Sequence, residues 1–315
     1  MEQRNLGNRG PLISLLGLGT VELGMDYGLP APGEFGRPSE KDAVAILRRA
    51  LDLGVTFFDT APGYGDSERL VGLALGDKPE AIIATKVNVP RTPEGELLSG
   101  KRLSEAVEAS LTRSLALLGR ERLDVVQIHN ATEEVLRRGE LLESLVRARE
   151  KGILRSTGVS VYSETEALMA VDSGSCDVIQ VAFSLLDQRQ AARTFPAAHD
   201  AGVGLILRSV FLKGALTPKA EFLPSHLAGL GTAARAARDA LAGGSWPELT
   251  SVAIRFALSQ PEASGVLVGV RSLEELEAAC AVAGTGPLSE REMAIARGLA
   301  IGEERLLNPS HWGVA

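Results

Sequence analysis

Four residues with reactive side chains lie at or just after the ends of short apolar segments. Asp59, Lys86 and His129 each end such a segment, and Tyr64 lies in the glycine-rich loop that follows Asp59. Alone, an Asp, Tyr or His in such a place usually has a structural role. Lys86 is unusual, because burying an ammonium group is costly unless it has a partner. Since all four follow consecutive strand-like segments, the sequence predicts that they meet in one active site.

The segments that must position these residues alternate between short apolar runs and longer amphipathic stretches. The runs lack a period-2 pattern, which is typical of strands buried on both faces of a parallel sheet. The predicted strands are Leu15–Thr20, Thr56–Ala61, Ala81–Val87, Leu123–His129, Ser156–Val161, Val178–Ser184, Gly204–Val210 and Gly265–Val270. The predicted helices are Glu40–Leu53, Ser67–Leu75, Leu103–Leu118, Val135–Lys151, Glu164–Asp172, Ala191–Ala201, Glu248–Gln260 and Leu273–Val282.

Eight strand–helix pairs in about 280 residues favour one closed (β/α)8 TIM barrel, an α/β fold, over two open sheets. No linker divides the chain, so residues 1–315 are predicted to form a single domain. The segment Thr217–Trp246 is too long for a simple connection and predicts an insertion over the C-terminal mouth. The tail Ser289–Ala315 predicts an extra helix and a loop that also reaches the mouth. Such a barrel places its chemistry at the C-terminal ends of the strands, where the four residues lie.

Composition excludes several classes of protein. The formal net charge of −7, with Lys and Arg scattered over helices, argues against a nucleic-acid partner. The N-terminus has no apolar secretory segment, and no apolar run is long enough for a transmembrane helix. The two cysteines have no metal-ligand spacing, and no His, Cys and Asp cluster predicts a metal site. We therefore expect a cytoplasmic enzyme without a metal.

The motifs, taken together, resemble the aldo-keto reductase family. Their order and spacing cover nearly the whole chain, and the segment from Asp59 to Tyr64 is the most specific part. The matching motifs are Gly17–Thr20, Asp59–Glu68, Ala84–Lys86, Gln127–His129, Gly158–Ser160, Ile179–Val181 and Val268–Ser272.

The resemblance implies a role for each of the four residues. Tyr64 is the general acid in reduction and the general base in oxidation. A free phenol has a pKa near ~10, so the positive charge of Lys86 must help it to ionise. Asp59 orients Lys86 and compensates its charge, and His129 hydrogen-bonds the substrate oxygen. The reaction implied is hydride transfer between a nicotinamide cofactor and an aldehyde, ketone or sugar-type alcohol.

The resemblance also implies where the cofactor binds. Ser160 and Gln180 hold the nicotinamide carboxamide, and the loops after the seventh and eighth strands bind the phosphates. The predicted cofactor-binding residues are Gly19, Thr20, Asp59, Ser160, Gln180, Arg208, Ser209, Leu212, Gly214, Gly269, Arg271, Ser272 and Glu275.

The choice between NADP and NAD depends on the segment after the eighth strand. Arg271 and Ser272 suit a 2′-phosphate, because a guanidinium pairs well with phosphate oxygens. Glu275 would repel that phosphate and instead accept a ribose hydroxyl. The family pattern and Arg271 predict NADP, with NAD as the alternative.

Three positions depart from the family pattern. Val161 replaces the usual Asn, and Ala278-Ala279 replaces a Glu-Asn pair that contacts adenine. Arg208 replaces an aromatic residue that stacks on nicotinamide. Its guanidinium has three possible partners, namely the nicotinamide ring, an anionic or hydroxyl-rich substrate, and a nearby acid.

Other functions remain open at this point. Gly17–Glu22 fails the dinucleotide-binding Gly-x-Gly-x-x-Gly pattern at its last glycine, and Gly95–Lys101 is followed by Arg102 instead of the Ser or Thr of a P-loop. A Schiff-base lyase that uses Lys86 is one alternative, and a cofactor-binding regulatory subunit is another. The mouth loops Leu23–Pro38, Asn88–Lys101 and Thr217–Trp246 and the tail around His311 and Trp312 do not identify a substrate.

Overall fold

The barrel is a closed ring of eight parallel strands. The computed structural model describes residues 1–31 and 36–313; residues 32–35 of the mouth loop Leu23–Pro38 and the last two residues of the tail lie outside the described part. Each strand pairs with the next along the chain, and the last pairs with the first. The barrel strands are β3 (Leu16–Gly19), β4 (Phe57–Asp59), β5 (Ile82–Asn88), β6 (Leu123–His129), β7 (Leu154–Val161), β8 (Val178–Ala182), β9 (Gly204–Arg208) and β10 (Gly265–Gly269). The predicted (β/α)8 barrel is confirmed, with every predicted strand present.

Helices surround the barrel, and Ser or Thr side chains accept backbone N–H bonds at several of their first turns, as Ser39 does from Asp42. The helices are α1 (Val21–Gly24), α2 (Glu40–Asp52), α3 (Ser67–Leu75), α4 (Gly100–Leu118), α5 (Glu133–Arg138), α6 (Glu140–Glu150), α7 (Glu164–Asp172), α8 (Thr194–Asp200), α9 (Ala228–Ala242), α10 (Trp246–Leu258), α11 (Leu273–Ala283), α12 (Glu290–Arg297) and α13 (Glu304–Leu307).

The prediction of one helix over Val135–Lys151 is wrong. The chain forms two helices, α5 and α6, which meet at Gly139. Gly139 has a φ of 71°, a left-handed conformation that ends α5 and that glycine adopts without steric cost. The apolar spacing continues across this break, which is why the sequence pattern alone did not reveal it.

The inside of the barrel changes character along its axis. Alternate residues of a strand face the same side, so Phe57 and Asp59, or Ala84 and Lys86, point the same way. At the N-terminal end these inward positions form an apolar cluster that includes Phe57, Ile82, Val125, Val178 and Ile206. Two or four residues further on, the same face carries Asp59, Lys86, Gln127, Gln180 and Arg208. Each of these strands therefore contributes one polar residue to a layer at the mouth.

A β-hairpin that the sequence analysis did not predict closes the N-terminal end of the barrel. Its strands are β1 (Gln3–Asn5) and β2 (Leu12–Ser14), paired antiparallel. Leu6 and Ile13 are fully buried and belong to the apolar cluster at this end. The hairpin is too short and too polar to stand out in the sequence.

The long insertion lies at the opposite end, as predicted. Residues Thr217, Pro218 and Lys219 reach the cavity at the mouth, and α9 follows them.

The described part of the tail does not reach the mouth as predicted. Trp312 is 1% exposed, its carbonyl bonds the imidazole of His226 at 2.9 Å, and the described tail residues do not line the cavity. No helix in the described part of the chain is long and apolar enough to span a membrane.

Candidate active site

Lys86 forms a buried ion pair with Asp59 at the mouth end of the barrel. The Lys86 Nζ lies 2.6 Å from Asp59 Oδ2 and also donates to the Thr60 carbonyl at 2.9 Å. Lys86 is 0% exposed and Asp59 is 3% exposed. Burial opposes the charged ammonium, but Asp59 and Tyr64 outweigh it, and the pKa of Lys86 is raised. Lys86 is therefore a fixed positive charge.

Tyr64 lies directly beside this charge. The Lys86 Nζ is 4.8 Å from the centre of the Tyr64 ring, which lines the cavity. Burial raises the pKa of Tyr64, and the charges of Lys86 and then Arg208 act in the opposite direction. Burial prevails, so the phenol is protonated at neutral pH in the absence of ligands. Lys86 is the nearest group that can stabilise a phenolate.

His129 completes the cluster as a neutral imidazole. Its ring meets that of Tyr64 edge-on, with the centroids 5.5 Å apart. Burial and the charges of Lys86 and Arg208 lower the pKa of His129 to about 3. The imidazole is thus uncharged at any physiological pH. Its Nδ1 lies 3.1 Å from Asn88 Oδ1, which orients the ring.

The loop from Asp59 to Glu68 is held by buried polar contacts. The Ser67 hydroxyl bonds both Thr60 and Thr20, and the Thr20 hydroxyl also donates to the Asp59 carbonyl at 2.8 Å. Glu68 accepts from the Thr85 hydroxyl at 2.6 Å. These bonds fix the loop to β3 and β5, and they explain why a Ser and a Glu follow Tyr64 at this spacing.

Asp59, Tyr64 and His129 open onto one large cavity. Its volume is about 670 Å³, within the range of small-molecule sites. It extends from Tyr64 and His129, past Ser160, Gln180 and Arg208, to Arg271 and Glu275 beside α11. All three tyrosines of the chain, Tyr27, Tyr64 and Tyr162, line it.

The middle of the cavity fits a primary amide. Gln180 donates its Nε2 to Asp59 Oδ1 at 2.8 Å, which fixes the orientation of the side chain. The Gln180 Oε1 is buried and has no hydrogen-bond partner among the described residues. An acceptor left without a partner is costly, so it fits a ligand that brings an N–H donor, such as the carboxamide of nicotinamide. Ser160, on the neighbouring strand β7, lines the same part of the cavity.

The far end of the cavity combines one arginine with two carboxylates. Glu275 accepts from the Arg271 backbone N–H at 2.7 Å, and its other oxygen lies 3.8 Å from the Arg271 guanidinium. Glu22 lies against Gly269, where a Cβ would come within 2.5 Å of a Glu22 oxygen. Burial raises the pKa of Glu22, opposed by Lys219 and reinforced by Glu275. The glycine at 269 thus leaves room for an acid that the sequence analysis did not identify.

Arg208 lies where the sequence analysis placed it, at the end of β9 and in the cavity. Its guanidinium stacks on the ring of Tyr162 at 4.2 Å and donates to the Val161 carbonyl at 3.1 Å. Among the described residues no acid forms an ion pair with it. The described residues therefore give no support to the interpretation that Arg208 simply pairs with a nearby acid.

Most of the predicted site residues meet in this cavity. Gly19, Thr20, Ser209 and Gly214 line it together with the residues described above. Three others do not. Lys86 lies beneath the surface, Leu212 is buried in the core, and the Ser272 side chain accepts from the Glu275 N–H to cap α11. Tyr27, Tyr162 and Glu22 were missed, because only the folded loops bring them to the mouth.

The described residues contain no group of three or more His, Cys, Asp or Glu that could hold a metal ion. The groups that the site does bring together are a phenol, an ammonium–carboxylate pair and a neutral imidazole.

Comparisons with known proteins identify the family of the chain. The model of the Aldo/keto reductase family matches residues 15–301. L-galactose dehydrogenase from Arabidopsis thaliana is 31% identical over 293 residues, which cover 88% of this chain and 86% of that protein. Pyridoxal 4-dehydrogenase from Microbacterium luteolum is 29% identical over 318 residues, covering 87% and 91%.

A solved structure supports the fold. An aldo-keto reductase from Bacillus halodurans, in its holo form, superposes with a TM-score of 0.79 at 23% identity and covers 99% of both chains. The family match over most of the chain, with the relatives that share it, supports a nicotinamide-dependent oxidoreductase. This chain belongs to the aldo/keto reductase family.

Proposed function

We propose that the chain moves a hydride between a nicotinamide cofactor and the carbon of a small alcohol or carbonyl compound, with Tyr64 exchanging the proton. The observation that carries this proposal is the buried Lys86–Asp59 pair placed against the Tyr64 ring at the cavity wall. The cofactor supplies only the accepting or donating ring carbon. Everything else in the step is done by side chains of this chain.

The proposed proton transfer follows from the charges around Tyr64. In oxidation the Tyr64 phenolate takes the hydroxyl proton of the substrate, and in reduction the phenol returns a proton to the carbonyl oxygen. Lys86 stabilises the phenolate, and Asp59 balances the charge of Lys86 within the low-dielectric interior. His129 stays neutral throughout and hydrogen-bonds the substrate oxygen, because its depressed pKa prevents it from competing as an acid.

For the substrate, we infer a small molecule that carries several hydroxyl groups. The walls near Tyr64 combine the rings of Tyr27 and Tyr162 with the polar groups of His129 and Asn130. Aromatic faces with hydrogen-bonding groups at their edges suit a hydroxylated ring. The names of the two relatives point the same way, since one acts on galactose and the other on pyridoxal.

For the cofactor, we infer NAD, the alternative that the sequence analysis left open beside NADP. Arg271 is held by Glu275 through both its backbone and its guanidinium, and Glu22 adds a second acid nearby. A 2′-phosphate would have to displace or face these carboxylates, whereas a ribose hydroxyl can donate to one of them.

The alternative of a Schiff-base lyase has little support from the geometry. A nucleophilic lysine must be uncharged and reachable, but Lys86 is fully buried and its pKa is raised. A purely regulatory role would not explain why the buried Lys86–Asp59 pair lies beside Tyr64.

The test is turnover by Tyr64→Phe with NAD and a panel of sugars and aldehydes. We expect kcat to fall by about 10²–10⁴-fold, because the hydroxyl alone transfers the proton. Cofactor affinity should stay within about twofold of the wild type, since the ring remains.

Tyr27→Phe is the matched control, because it removes a phenol hydroxyl from the wall of the same cavity. It should lose far less activity than Tyr64→Phe. A Tyr64→Phe enzyme that keeps a near-normal kcat would show that Tyr64 is not the acid–base group.

A further inference from the structure

The guanidinium of Arg208 is held rigidly by three contacts. It stacks on Tyr162 at 4.2 Å, Nη2 donates to the Val161 carbonyl at 3.1 Å, and Nη1 donates to the Ser209 hydroxyl at 3.0 Å. Ser209 itself has a φ of 62°, a left-handed conformation uncommon outside glycine. A strained residue beside a clamped side chain indicates that the position of this charge is specified by the fold.

These contacts place the charge over one particular strand end. Val161 ends β7, and Arg208 ends β9, with β8 between them. The side chain that joins them must therefore cross the C-terminal end of β8, the strand that carries Gln180. Any nicotinamide whose carboxamide meets the free Oε1 of Gln180 has the guanidinium as a close neighbour.

No acid among residues 1–31 and 36–313 neutralises this charge. No carboxylate of the described residues lies within ion-pair distance of Arg208. After burial and Lys86, its charge adds to the lowering of the pKa of His129, and it offsets part of the rise that burial causes in the pKa of Tyr64. Tyr162 covers one face of the guanidinium plane and contributes no formal charge. The cavity therefore keeps one positive charge next to the place where the reactive ring is expected.

We propose that Arg208 makes the site distinguish the redox states of the cofactor, binding the reduced form more tightly than the oxidised form. This proposal rests on the proposed function. The oxidised nicotinamide ring is a cation and the reduced ring is neutral, so a fixed guanidinium repels only the first. Repulsion of a like charge in a partly desolvated site changes relative affinity by roughly tenfold or more.

The consequence lies in the equilibrium between the two bound states. The substrate C–H bond breaks, its hydride with both electrons reaches the oxidised ring, and the O–H proton goes to the Tyr64 phenolate. The positive charge of the ring beside Arg208 disappears in this direction, so Arg208 shifts the equilibrium on the enzyme towards the reduced cofactor and the carbonyl product. The overall equilibrium is unchanged, because the same charge weakens binding of the oxidised cofactor by the same free energy. Arg208 is thus a specificity-determining residue for the redox state of the cofactor.

The experiment measures Kd for NAD and for NADH by titration calorimetry, without substrate. In the wild type we expect NADH to bind at least about tenfold more tightly. Arg208→Met keeps the apolar stem and removes the charge, so it should lower the ratio of the two Kd values by roughly tenfold, mainly by improving NAD binding. Arg208→Lys should keep most of the ratio.

Two further variants keep the result interpretable. Arg208→Gln is a second neutral variant, whose amide can still donate to the Val161 carbonyl if the Met variant folds poorly. Arg113→Met removes a charge from the exposed face of α4, far from the cavity, and should leave both Kd values unchanged.

An unchanged ratio in folded Arg208→Met and Arg208→Gln overturns the proposal. The proposal is also overturned if both Kd values are unchanged in these variants while KM rises only for anionic substrates. Arg208 would then bind the substrate. These failures leave the proposed function intact, because Tyr64→Phe tests it separately. If the wild type binds neither form of the cofactor, both the function and this inference are wrong.

Discussion

The two ends of the barrel are built from the same strands but by opposite rules. At the N-terminal end, the inward positions are apolar and are sealed by Leu6 and Ile13 of the hairpin. At the mouth, the same faces carry Asp59, Lys86 and Gln180, and the described residues leave a cavity there. The first end stabilises the fold through burial, and the second end buries charge at a cost that only function explains. Stability and chemistry are thus separated along one axis within about three residues of each strand.

The sharpest way to test this separation is to remove the charge at the mouth. Lys86→Met should lower kcat by about 10²–10⁴-fold, because the Tyr64 phenolate loses its stabilising neighbour. Tyr64 already has a raised pKa, and removing Lys86 raises it further. The rate of alcohol oxidation, which needs the phenolate, should therefore rise with pH at a more alkaline position than in the wild type. A pH–rate profile in the oxidative direction measures this shift.

The same variant leaves Asp59 buried without its cation, which typically costs about 3–5 kcal/mol of unfolding free energy. Denaturant unfolding should be recorded alongside the kinetics. A Lys86→Met enzyme with an unshifted profile would mean that Lys86 only supports the structure.

The opposite end should give the opposite result. Ile13→Ala creates a cavity in the seal and should lower the unfolding free energy by about 2–5 kcal/mol. The kcat and KM of the folded enzyme should stay close to wild type, because Ile13 contacts the apolar cluster and not the cavity. Urea unfolding measures the loss of stability, and steady-state kinetics measures kcat and KM. A clear drop in kcat would show that the two ends are coupled.

The smallest expected effect lies at the adenosine end of the mouth. The wild type should prefer NAD over NADP. Glu275→Gln should reduce that preference by roughly fivefold to twentyfold, because repulsion between one surface carboxylate and the 2′-phosphate disfavours NADP binding by about 1 kcal/mol or somewhat more. The ratio of kcat/KM for the two cofactors measures it. Glu274→Gln, on the exposed side of the same helix turn, is the control. A wild type that prefers NADP would contradict the inferred role of Glu275 and restore the prediction made from the sequence.

The repeating strands and helices of the barrel could be predicted from the sequence. Each barrel strand is an apolar run and each of its helices an amphipathic one, so their number and order could be predicted. The cluster of Asp59, Tyr64, Lys86 and His129 could also be placed, because parallel strands bring their ends to one edge. The break at Gly139 and the hairpin at the N-terminus were missed, since neither interrupts nor extends an apolar pattern.

Side-chain paths could not be predicted in the same way. The route of Arg208 across β8 to Tyr162 depends on where two loops meet in space. Leu212 was predicted to bind cofactor from its position after β9, but a local turn with a φ of 46° directs its side chain into the core. Ser272 satisfies a helix N-terminus instead of lining the cavity. Such choices depend on local backbone geometry that residue types alone do not encode.

The hairpin also has a consequence for how the chain is made. Arg4 donates to the carbonyls of Gln260 and Ala263, and the Asn8 N–H to that of Gly202, so the hairpin is bound by residues that are synthesised much later. Leu6 and Ile13 therefore stay uncovered on the ribosome until almost the whole barrel has emerged. Contacts so distant in sequence form slowly, and apolar surface exposed meanwhile favours aggregation. We expect closure of the ring to be the late step in folding, with yield depending on chaperones and temperature more than the stability of the finished barrel suggests.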